Sequence, residues 1–125
     1  MKKLLGSLAV SAACTCAFSG AALADEEMDK IINLAMPHMH HSCESVIDIY
    51  SDDDAKVADI VRLMAMVSLY NRQIDVVKTI PDEADQARLA DEFTEELEDA
   101  CDDDPGMLLA GAVDIAIRET IDAFE

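Results

Sequence analysis

The chain has 125 residues, in which 27 Asp and Glu stand against nine Lys and Arg for a formal net charge of −18. That balance excludes nucleic acid as a natural partner and argues against docking on anionic membrane surfaces. Acidity of this degree can mark disorder, but aliphatic clusters recur at helical spacing along the chain, so a folded domain is expected.

The first 24 residues, MKKLLGSLAVSAACTCAFSGAALA, are laid out like a cleavable secretory signal peptide. Lys2 and Lys3 give the positive start, an apolar run follows, and Ala22-Leu23-Ala24 supplies an A-x-A cleavage site. The run is too short and too rich in small residues for a stable membrane span. A lipoprotein site at Cys14 is the weaker reading, because the expected Leu or Val three residues earlier is missing and Val10 lies four before it. The expected mature chain, residues 25–125, keeps all the acids and loses two of the nine bases, which leaves −20. Its expected location is the periplasm of a bacterium, with no membrane insertion once the signal is removed. Only Cys43 and Cys101 remain there, and an oxidising compartment favours their pairing in one disulfide. So long a closed loop is worth about 4 kcal/mol in the chain-entropy model.

After the signal, residues 25–41 read as an N-terminal helix to about Met36 and a His/Met-rich connector, with Pro37 ending the helix. A short helix capped by Ser42 follows and runs through Val46, Ile47 and Ile49 to Tyr50. Ser51 to Asp54 then opens a long helix with Val57, Ile60, Val61, Met64, Val67, Ile74 and Val77 on its apolar side, stopped by Pro81. Asp82 can cap the next helix, whose face is Leu89, Phe93, Leu97 and Cys101. Asp104-Pro105 reads as a cap with proline at the first position of a last helix that buries Leu109, Ala112, Val113, Ala116, Ile117 and Ile121. No strand-like alternation of any length occurs. The expected fold is all-α: a single-domain bundle of four to five helices, the N-terminal one included, stapled by one disulfide, with the main helical domain at residues 42–125.

The stretch MPHMHHSC, residues 36 to 43, gathers all three histidines. Imidazole and thioether suit copper or zinc, so His38, His40 and His41 with Met36 and Met39 form a candidate metal site. Cys43 would join them only if reduced. The plainer reading is a connector with Met36 or Met39 tucked against the core. Met64 and Met66 could line a binding surface, although core packing is the commoner use of such residues. Cys43 near His41 has the ingredients of an activated thiolate, but no C-x-x-C pair or substrate pocket is evident, and no enzyme activity is expected. The acidic runs lack the calcium-loop pattern and read as caps and a solvated face. Complete protonation of the carboxylates would carry the mature chain from −20 to about +11, a reversal large enough to loosen helix packing.

Two segments carry a family resemblance. In "SCESVIDI" the first cysteine precedes an acid and aliphatics, and in "ACDDDPGMLLAGAVDIAI" the second leads through Asp and Pro into an amphipathic helix. With the signal peptide, this layout resembles the HdeA/HdeB family of periplasmic acid-stress chaperones. The resemblance implies a helical domain tied by Cys43–Cys101 and an ATP-independent, acid-responsive holdase. It also implies a homodimer that acid converts to partly unfolded monomers, with unfolded periplasmic proteins as clients. The client surface expected on this chain is Ile60, Met64, Val67, Phe93 and Leu109, exposed on acidification. The chain departs from that family in its greater acidity, a longer spacing between the cysteines, the lack of a tryptophan before Cys43 and the additional N-terminal helix, and an interaction module for a partner the sequence does not name is a further reading.

Overall fold

The computed structural model describes residues 21–125, so most of the expected signal peptide lies outside the described residues. The chain divides into two units, Met1–Lys30 and Ile31–Glu125. Helix α1, Ala21–Ala35, contains the division. Everything below concerns the second unit.

As Pro37 predicts, the α-helix stops at Ala35, and Met36–His38 forms a single 3-10 turn with the proline in its first positions. The short helix α2, Cys43–Ile49, begins where Ser42 predicts. Its capping box is made by two serines: Ser45 N–H donates to Ser42 Oγ at 3.0 Å, and Ser42 N–H donates to Ser45 Oγ at 2.8 Å. Helix α3, Asp54–Asn71, is capped by Asp53, whose carboxylate accepts from the Lys56 amide.

The expected run from Asp54 to Pro81 is not one helix. It breaks after Asn71, and a four-residue helix α4, Val76–Thr79, follows under an Asp75 cap. The cause is Gln73, which takes a left-handed conformation at φ 55° and closes the α3 end. Ile74 N–H then donates to Leu69 C=O, and Gln73 N–H to Tyr70 C=O, at 3.0 Å each. That pair of bonds is a Schellman motif. The break gives six α-helices among the described residues where four to five were expected.

Helix α5, Glu83–Asp103, starts on the expected Asp82 cap, with Glu83 and Asp85 suited to the positive end of its dipole. The last helix, α6, is Leu109–Ala123, four residues later than Asp104-Pro105 predicts. Asp104 instead caps the end of α5, and Leu108 enters α6 without a side-chain cap. Residues 104 to 109 pair with the start of α2 rather than coil. Cys43 N–H donates to Met107 C=O at 3.0 Å, Glu44 N–H to Pro105 C=O at 3.1 Å, and Leu109 N–H to His41 C=O at 2.9 Å. The Cys43–Cys101 disulfide, with Cα atoms 5.7 Å apart, fastens the same corner.

Helix α6 is the centre of the unit, packed chiefly against α5 and α3 and less extensively against α2. All six residues expected on its buried face are buried, joined by Thr120. Ala112 and Ala116 are fully inaccessible; their small side chains let neighbouring helices approach closely. Ile60 and Met64 of α3, Val46 of α2 and Ile80 complete the core.

Candidate functional site: an apolar groove between two helices

Helices α3 and α5 both rest on α6, and the space between them is left as a groove. Val57, Val61, Ala65 and Leu69 form one wall, and Leu89, Phe93, Leu97 and Cys101 the other. Each of these eight side chains is half-buried rather than enclosed. Leu109, Ile117 and Ile121 of α6 provide the floor. Val46 and Ile47 of α2 close one end beside the disulfide, and Val76 of α4 lies at the other. The central recess has a volume of about 670 Å³, and the end recesses about 180 and 210 Å³. Each wall is a row of four side chains spanning about three turns, about 18 Å at the α-helical rise.

The rim is charged. Asp54, Glu98 and Asp102 stand along it, and Arg62 is the one base among the described lining residues. Arg62 donates to Asp59 at 2.8 Å, so its charge is already matched on its own helix. Behind the rim, α5 carries ten acids and one base, Arg88. On its α6 side, burial together with the charges of Glu92, Glu119, Asp99 and Glu95 pushes the Glu96 carboxyl up from its ordinary range.

The five residues expected to meet clients do not share one surface. Ile60, Met64 and Leu109 are core side chains, whereas Phe93 lies in the groove wall. Val67 points to the opposite side of α3, into a recess of about 120 Å³ with Met39, Met64 and Asp114. Asp114 anchors that side: both carboxylate oxygens accept from the Arg72 guanidinium, and Ser68 Oγ donates to it, all at 2.7 Å. These hydrogen bonds, led by Arg72, lower its pKa to about 2. Partners 42 and 46 positions away leave no local signal in the sequence.

The histidines lie close together on the connector. The rings of His40 and His41 are 4.3 Å apart between centroids, and those of His38 and His41 5.8 Å. His38 Nδ1 is enclosed without a hydrogen-bond partner. Burial, then the nearby Lys56 charge, holds the His38 pKa below its ordinary value. Among the described residues, no three His, Cys, Asp or Glu side chains are gathered as a metal ion requires. Met39 lines the small recess beside Asp114, and Met36 is exposed. Cys43 is in the disulfide and offers neither a ligand nor a thiolate. No described helix is long and apolar enough to cross a membrane.

The family model described as YmgD protein matches residues 36–121, well over half of the chain, and the chain belongs to that family. No match to a curated protein or to a solved structure was found.

Proposed function

We propose that this member of the YmgD family is an exported periplasmic protein that holds apolar segments of other proteins, acting without ATP as an acid-responsive holdase. The observation that carries this reading is the half-buried apolar groove between α3 and α5. A surface of that kind binds through hydrophobic contact and needs no catalytic group. The two-cysteine helical layout resembling the HdeA/HdeB family supports it. So does the charge reversal on acidification, which weakens the packing of α3 and α5 against α6 and would expose Ile60, Met64 and Leu109 beside the groove. Light scattering of an acid-denaturing client at about pH 2 to 3 tests the proposal. Equimolar protein is expected to suppress aggregation, and no suppression sinks it.

A second reading is favoured by the three adjacent imidazoles and the unpartnered Nδ1 of His38. Rotation of these side chains would let His38, His40 and His41, with Met36 or Met39, hold copper or zinc. Calorimetric titration of the oxidised protein distinguishes it. Affinity unchanged after all three histidines become alanine removes that site.

A further inference from the structure

We infer that the groove between α3 and α5 receives one amphipathic helix with basic flanks, supplied by a partner protein. This rests on the reading of the groove as the binding surface and names the class of segment it takes.

The walls decide the secondary structure of the occupant. Both are helices whose backbone groups are already bonded within themselves, and the described residues offer no sheet edge beyond the isolated Ser42–Leu108 bridge. An extended segment laid there would find no backbone partners. A helix satisfies its own backbone and presents only side chains. The length follows from the walls: Val57 to Leu69 and Leu89 to Cys101 each cover about 18 Å, so about twelve helical residues fit. An apolar stripe at i, i+4, i+7 and i+11 would complete a four-helix arrangement around α6.

The rim decides the charge. Asp54, Glu98 and Asp102 take part in none of the ion pairs among the described residues, and Arg62 is already paired with Asp59. A segment with Lys or Arg beside its apolar stripe meets carboxylates on both sides. A second copy of this acidic chain would meet like charge, which argues against self-association through this face.

The test uses the purified, oxidised protein at neutral pH and three labelled peptides of about fourteen residues. One carries leucines at the stripe positions and lysines elsewhere, one has the same composition in scrambled order, and one has glutamates in place of lysines. Fluorescence anisotropy is expected to show saturable one-to-one binding of the first, with at least tenfold weaker binding of the other two. Glu98→Lys with Asp102→Lys is expected to weaken the first peptide about tenfold, since exposed charges contribute modestly. Ala65→Phe, which puts a ring into the central recess, should weaken it further; circular dichroism shows whether either variant stays folded. Equal binding of the scrambled or glutamate peptide overturns the inference. So does binding indifferent to both folded variants, or a dimer in sedimentation that the Ala65→Phe change abolishes. Aggregation suppression at acid pH without peptide binding at neutral pH overturns this inference and leaves the holdase reading standing. Peptide binding without suppression does the reverse.

Discussion

Gln73 holds the only left-handed non-glycine backbone among the described residues, and the turn around it depends on that conformation. It occupies the position after the α3 cap where glycine is usual, and an L-residue there costs about 1 kcal/mol more than glycine. Its side chain is exposed, so nothing packed is lost on removal. Gln73→Gly is therefore expected to stabilise the protein by about 0.5–1 kcal/mol, less the extra entropy glycine gives the unfolded chain. For a domain of this size the melting temperature should rise by about 2 to 6 °C. An unchanged or lower value would mean that the Ile74–Leu69 and Gln73–Tyr70 bonds, rather than the residue type, set the end of α3. The same residue explains the missed break. The apolar period of α3 continues through Ile74 and Val77, and nothing in a glutamine announces a left-handed turn.

At the scale of elements, the corner joining α2, α5 and α6 carries a local conflict. Helix α5 ends in Asp102 and Asp103 with no base in its last turn, where its dipole disfavours negative charge. Cys101 lies in that turn, and the disulfide to Cys43 holds the turn in place despite its charge. Replacing both cysteines with serine should cost about 4 kcal/mol by chain entropy. Urea midpoints of the oxidised protein and of this variant test it, and an unchanged midpoint would show that the bond does not stabilise the corner. Much of this corner is legible in the sequence: the two cysteines, the Ser42 cap and the apolar face of α6 all give local signals. The start of α6 is not, because Pro105 and Met107 spend their carbonyls on residues sixty positions away rather than on a helix turn. The groove is half legible. The spacing of Leu89, Phe93, Leu97 and Cys101 reveals an apolar face, but periodicity does not say whether another helix covers it.

The whole molecule is governed by an excess of carboxylates that few cations answer. Four ion pairs occur among the described residues, with Arg72–Asp114 the only one joining two helices. Most described carboxylates therefore take part in no ion pair, and Glu96 lies among Glu92, Glu95, Asp99 and Glu119. A Glu whose folded pKa is raised destabilises the fold when ionised, and that cost disappears as pH falls through the folded value. Asp114 has the opposite sign. Its depressed pKa contributes stability that is complete above the ordinary Asp range and is lost only as pH falls through about 2. Partial acidification thus relieves repulsion before it breaks the Arg72 clamp, and the net charge passes through zero near the sequence pI of about 4.1. Stability is expected to rise from neutral pH to a maximum at about pH 4 to 5, then fall steeply between about pH 3 and 2 as positive charge accumulates. Added salt should stabilise the protein at pH 7 by screening, and do little near the maximum. Urea midpoints across this range check both statements. A continuous decline from pH 7 downward would show that specific carboxylate pairs outweigh the general repulsion, and acid opening of the groove would then begin well above pH 3.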